Sequence, residues 1–376
     1  MNRIEEVSAK LKLMRQSLSE TESAGIRLRG TDWFAWATAG GSNTVLLGAE
    51  TGAAEVLVTP TDAWILTDEI EAQRLKDEQL PHVVETSPYQ LFVHPWAEVS
   101  KRNAFVLEAV GGGRILSDKP SGSFHDRTTL HEYPLPQSLI KQRRVLLPSE
   151  LERYRQVGRL ASEAMTEVLL QAQPTWTEQQ LAGAGARAMW ARGLHPVLTL
   201  AGGDRRLPLY RHPLPSAERL GWQAMLVFCA RGSGLVASLT RFVWFDSPSA
   251  QDKALHCTIA EIEAIALERS QVEVPLNAVY AALAQTYEQY GYANAIREHH
   301  QGGTAGYGAR EVIATPETSD RLAANMVLAW NPSIPGAKIE DTFVLHDDNR
   351  LENISLDPQF PHQDVNGRPR PIPLER

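Results

Sequence analysis

The long amphipathic run from Leu151 to Gln173, opening directly after Pro148 and Ser149, constrains this chain more than any other segment. Pro148 breaks what precedes it, and Ser149 can cap the helix that follows, so Leu146 to Glu150 reads as a domain boundary. With 376 residues, the chain has length for two domains. The boundary separates residues 1–145 from a larger domain spanning 149–365, and the Pro- and Arg-rich residues 366–376 read as a surface tail.

The two parts differ in pattern. Ile4, Val7, Leu11, Leu13 and Met14 recur at helical spacing before Gly25. Short β-rich runs follow at Thr44 to Leu47, Ala54 to Val58, Ala63 to Thr67, His82 to Val84 and Ala104 to Leu107, with a helix expected at Glu69 to Asp77. This is the pattern of a small α/β domain. Beyond the boundary, Thr177 and Gln180 are spaced as a capping box for a second helix. Helical patterns at Ala250 to Glu268 and Leu276 to Tyr290 alternate with strand-like runs at Ala224 to Cys229, Leu235 to Phe245, Met326 to Trp330 and Thr342 to Leu345. The larger domain is therefore expected to be α+β, with long helices over an extended sheet.

Charge and cysteine content narrow the partners. The net charge of -8 supplies no basic field for nucleic acid or an anionic membrane. Two cysteines, Cys229 and Cys257, fit a reducing cytoplasm better than a secreted, disulfide-bonded chain. The charged N-terminus lacks a signal-like apolar run, and no stretch reaches membrane-span length, so a soluble, untargeted protein is expected.

Polar residues collect at Tyr210 to Pro215, at Ser238 to Arg241 and from His299 to Asp341. The last stretch opens with a Gly-rich loop, His299-His300-Gln301-Gly302-Gly303, where the backbone can pass close to a neighbouring strand or a ligand. No Gly-Lys-Ser/Thr follows, so it is not a phosphate loop.

At these residues the chain resembles the pita-bread superfamily of methionine aminopeptidase, Xaa-Pro aminopeptidase, prolidase and creatinase. The order of motifs carries the resemblance. His212 in Arg-His-Pro-Leu-Pro looks like the family's proton-shuttle histidine, and His300 stands near its glycine-flanked metal histidine. Val227-Phe228-Cys229-Ala230 stands where the family has Asp-Phe-Gly-Ala, and Ser238-Leu239-Thr240-Arg241 where it has Asp-Ile-Thr-Arg. Asn331-Pro332 replaces Glu-Pro, Glu340-Asp341-Thr342 keeps Glu-Asp-Thr, and Arg310-Glu311 takes the place of His-Glu. The resemblance implies a pita-bread catalytic domain preceded by a creatinase-like N-terminal domain, and a homodimer.

The resemblance also implies what has been lost. In metal-dependent members two aspartates, one histidine and two glutamates hold a pair of divalent cations. Val227, Ser238 and Asn331 are neutral, and the one remaining carboxylate, Glu340, cannot balance two such ions. No metal and no other cofactor is therefore expected. Creatinase is the family's precedent for breaking a C–N bond without metal. By that likeness His212, Glu340 and His300 are the candidate catalytic residues, and Arg241, Arg310, Asn331, Ser238 and Tyr210 the candidate substrate contacts. The substrate class is a small amino-acid-like, guanidino or amide molecule. The second reading is an inactive pseudopeptidase that binds a partner, and the third a conventional metal-dependent Xaa-Pro peptidase.

Each of these residues also has a plainer reading. A histidine between arginine and proline is ordinarily a turn residue, and His299-His300 can serve a helix C-terminus. Arg241 can be a structural ion pair, and Glu340 can be buried against His300 or Arg310. Cys229 fits an apolar strand as a small hydrophobe, and Trp33, Phe34 and Trp36 fit a core or interface cluster.

Overall fold

The computed structural model describes residues 1–80, 87–120 and 130–376, and the strand expected at His82 to Val84 lies outside them. The chain divides into two compact units, Met1–Arg143 with Leu147–Glu150, and Arg144–Leu146 with Leu151–Arg376. Among the described residues no helix is long and apolar enough to cross a membrane.

The first unit is built on a six-stranded mixed sheet, in the order Gln90–His94, Ala63–Asp68, Thr51–Val58, Gly25–Gly30, Ile115–Ser117 and Glu132–Pro134. Its first helix, Arg3–Glu20, begins at a capping box in which Asn2 accepts from the Glu5 amide and Glu5 accepts from the Asn2 amide. Three expectations fail locally. Thr44 to Leu47 is not a strand, because Asn43 takes the place beside Thr51–Val58, bonding Ala53 and Ala54, and leaves Val45 and Leu46 exposed. Ala104 to Leu107 lies inside the helix Val99–Ala109, whose Phe105 stacks on Phe92 at 4.0 Å between centroids. A short apolar run has no period of its own, and packing on the sheet made it helical. The helix expected at Glu69 to Asp77 shrinks to Ala72–Arg74, continued by a wider turn over Leu75–Gln79.

The second unit carries long helices, Pro148–Gln171 from Leu151 onward, Glu178–Trp190, Ala250–Arg269 and Leu276–Gln289, beside two larger sheets. The Thr177–Gln180 capping box forms as the spacing predicts. One sheet runs Leu374–Glu375, Leu235–Trp244, Gln223–Gly232, His195–Gly203; the other runs Val312–Ile313, Gly302–Ala305, Val327–Trp330, Asp341–Leu345, Leu351–Asn353. Ile262, Ala266, Val279, Leu283 and Tyr287 of two helices pack against Leu328, Trp330 and Phe343 of the second sheet, removing their apolar surface from water. The two sheets meet at a bridge between Thr240 and Glu340, with the Thr240 amide 3.0 Å from the Glu340 carbonyl.

Gly302 and Gly303 serve this framework. Their φ angles are +101° and +152°, and a Cβ at either would lie 2.2 Å from the Ala329 carbonyl oxygen or 2.1 Å from that of Val312. The Gly-rich loop thus answers to neighbouring strands.

The chain's end is not a surface tail. His362–Val365 and Arg368–Pro371 form a hairpin through an Asn366-Gly367 turn with both residues at positive φ. Arg370, 1% exposed, donates to both oxygens of Glu263 and to Asp341, whose other oxygen accepts from Arg241. Burial raises the Glu263 carboxyl to about 7 against the opposing pull of Arg370. Two arginines and two carboxylates thus neutralise one another inside the unit. Replacing Arg370 with methionine leaves Glu263 buried without its partner and should cost about 3–5 kcal/mol, seen as a lower urea midpoint. An unchanged midpoint would mean that the Arg370 ion pairs contribute nothing to the fold.

Candidate functional site

The bridge between the sheets fixes a polar cluster within the second unit. Ser238 and Thr240 are two apart on the strand Leu235–Trp244, and so share a face. Ser238 is locked by reciprocal bonds with Thr342, its amide donating to Oγ1 and its carbonyl accepting from it, both at 2.9 Å. The Thr240 hydroxyl donates to Glu340 Oε2 at 2.9 Å, and the other oxygen accepts from Arg310 at 2.6 Å. Lys338 Nζ lies 3.4 Å from Glu340 Oε2, and Arg310 also reaches the Ser238 hydroxyl at 3.2 Å. Burial alone would raise the Glu340 carboxyl, but Lys338 and Arg310 hold it down at about 2. One carboxylate therefore faces two cations in a buried setting.

Beside this pair lie three imidazoles. His299 and His300 follow the short helix Ala295–Glu298 and stack with centroids 4.6 Å apart; His212 comes from the segment after the strand His195–Gly203. His212 Nε2 lies 2.9 Å from His299 Nε2, so one ring donates and the other accepts. His212 is exposed as a residue, whereas His299 is 8% exposed. The Nδ1 atoms of His299 and His300 are buried with no hydrogen-bond partner. Burial is the first cause lowering all three rings, with Lys338 adding repulsion: His299 falls to about 2, His300 to about 4, and His212 moves the same way. At neutral pH all three are uncharged.

The structure places the sequence-derived candidates unevenly. His212 and His300 meet across His299, with ring centroids 6.1 Å apart, while Glu340, Arg310 and Ser238 form the neighbouring ion pair. Asn331 is buried, and its Oδ1 has no partner. Arg241 is not free to bind a substrate carboxylate: its terminal nitrogens donate to Asp341, Ser355 and the backbone of Thr240 and Glu340. It is the structural ion pair that its acidic neighbours also allowed. Tyr210 is exposed, with Arg206 over its ring at 5.1 Å. Cys229 packs as a buried thiol 3.5 Å from Ser238 Oγ, and burial pushes its pKa up, away from nucleophilic chemistry.

Two important residues were not singled out by sequence. Lys338 lies two positions before Glu340, and that spacing on extended chain was the available signal. His299 stands beside the candidate His300, and nothing local tells which of two adjacent histidines turns toward His212.

Residues 152–347 match the model of metallopeptidase family M24. Among solved structures the chain is similar to an Xaa-Pro dipeptidase from Bacillus anthracis, at 16% identity over 94% of this chain and 98% of that one, with a TM-score of 0.74. It is similar to an X-Pro aminopeptidase from Thermotoga maritima at 17% identity, covering 93% and 98% of the two chains, with a TM-score of 0.74. It is also similar to the N-terminal domain of the FACT complex subunit SPT16 from Cicer arietinum, at 12% identity, 94% and 96% coverage and a TM-score of 0.69. At these identities the likeness is one of fold. No curated protein matches the chain by sequence.

The donor set does not fit a dinuclear metal centre. Val227 carries an apolar side chain, Ser238 is bonded to Arg310, Asn331 is an amide, and both oxygens of Glu340 already serve cations of the chain itself.

The state of Glu340 has a measurable consequence. Its folded pKa, about 2, lies below the ordinary 4.5, so its stabilisation is present above pH 4.5 and is lost as the pH falls toward 2. The gap in thermal midpoint between wild type and Glu340→Gln should narrow on acidification through that window. If Glu340→Gln does not fold, Arg310→Gln should instead move the acid limb of unfolding to higher pH. A gap independent of pH would show that the carboxylate is not ionised in the pair.

Proposed function

We propose that this chain, which belongs to metallopeptidase family M24, hydrolyses a C–N bond in a small amino-acid-like, guanidino or amide substrate without the paired metal ions of a dinuclear peptidase. The observation that carries this reading is the Glu340 carboxylate held between Arg310 and Lys338. Two internal cations and one carboxylate leave a local excess of positive charge, which favours a substrate bearing an anionic group.

His212 is the proton carrier in this reading. It is solvent-facing, neutral, and linked to His299 at 2.9 Å, which orients its ring. As base it takes a proton from water while the water oxygen bonds to the substrate carbon; as acid it returns that proton to the departing nitrogen as the C–N bond breaks. Arg310 fixes the anionic end, and Asn331 and Ser238 supply hydrogen bonds around it.

A screen of small amides and guanidino compounds by thermal shift, followed by turnover assays, tests the reading. With a substrate in hand, chelation should leave turnover undiminished, and His212→Ala should lower it by about two to four orders of magnitude while binding persists. Two transition-metal ions per chain, with activity lost on their removal, would restore the conventional peptidase. Ligand binding with no turnover would give precedence to a binding protein on a peptidase fold, a reading favoured by the internal neutralisation of Glu340.

A further inference from the structure

We infer that His212, His299 and His300 form a binding site for one transition-metal ion of the zinc class, separate from the carboxylate position at Glu340. Their candidate ligand atoms all lie within 4.8 Å of one another, and they are the group of metal-ligating side chains so arranged among the described residues. Three nitrogens held about 2.0–2.1 Å from a tetrahedral ion lie roughly 3.4 Å apart, so the cluster reaches that geometry through modest ring movements.

A second observation points the same way. His299 is more than nine-tenths buried, yet its Nδ1 has no partner, nor has that of His300. Buried polar atoms left unmatched in this way call for a group to complete them. The adjacent stacked rings bring two donors from one turn of backbone, and His212 on a separate segment closes the third side at the solvent edge. Solvent access at His212 leaves a fourth position open.

The donor chemistry selects the ion. Imidazole nitrogen suits Zn2+, Co2+, Ni2+ or Cu2+, whereas Mg2+ and Ca2+ require oxygen ligands that this cluster lacks. Three neutral rings bring no charge, and Arg310 and Lys338 both lie against the Glu340 carboxylate nearby. The fourth ligand is therefore an anion, hydroxide or a carboxylate.

One consequence rests on the hydrolase reading above. An ion bound to His212 takes up the nitrogen that carries the proton, so zinc inhibits turnover and a chelator restores it.

The binding itself is tested without any substrate. Chelator-treated protein titrated with Co2+ should develop the intense visible absorption of a tetrahedral site, saturating at one ion per chain and displaced by Zn2+. His299→Ala should abolish the band. His212→Ala, which removes an exposed residue and spares the packed core, should weaken Co2+ binding by at least the roughly 10–100-fold that loss of a mere supporting partner costs. Cys257→Ser should leave the band intact, since that exposed thiol lies outside the cluster. No band at saturating Co2+, two ions per chain, or affinity unchanged in His212→Ala would overturn the site. If the spectrum behaves as expected while Zn2+ leaves turnover unchanged, the metal site stands and the role given to His212 fails.

Discussion

A single carboxylate held between two cations organises the centre of the larger unit. Glu340 enters from the segment before one sheet, bonds Thr240 on the neighbouring sheet, and is closed off by Arg310 and Lys338. Burying an ionised carboxyl is tolerable only with partners of this kind, and removing one of them strands the rest. The contact therefore joins two sheets and brings two cations to one carboxylate. The three histidines beside it are kept neutral by burial and by Lys338.

The same arrangement supports the proposal that this family M24 chain works without a dinuclear metal centre. Two divalent ions need a dense set of carboxylates, and the positions that could supply them hold valine, serine and asparagine. The charge that remains is matched internally by side chains. Arg310 and Lys338 thus lie beside an imidazole cluster, which supports the proton-transfer and nitrogen-donor chemistry proposed for it.

A second buried ion cluster does a different job. Asp341, adjacent to Glu340, turns to Arg241 and Arg370, and Arg370 reaches Glu263 on a helix. Successive residues of an extended chain point to opposite faces, so neighbouring acids serve separate networks. Glu340 faces Arg310 and Lys338, while Asp341 ties the C-terminal hairpin to the helix layer. Arg241, read from sequence as a substrate contact, belongs to the second network for that reason.

The sequence by itself determined the long helices, the Thr177–Gln180 capping box and four strands of the larger unit, and its resemblance implied neutral residues where metal-binding carboxylates would stand. The helices, the box and the strands are local facts: a periodic apolar face, a Thr-x-x-Gln spacing, a β-rich run. The motif order also brought His212, His300, Arg310 and Glu340 into view as a group. Only the tertiary structure decided that Ala104 to Leu107 is helical, since a short run takes its form from the surface it packs on. The same holds for Arg370, whose Pro- and Arg-rich surroundings look like a tail until two buried carboxylates supply its partners. And only the fold brought Lys338 to Glu340 and His299 to His212, because which charges and ring nitrogens meet depends on distances between segments that no local pattern encodes.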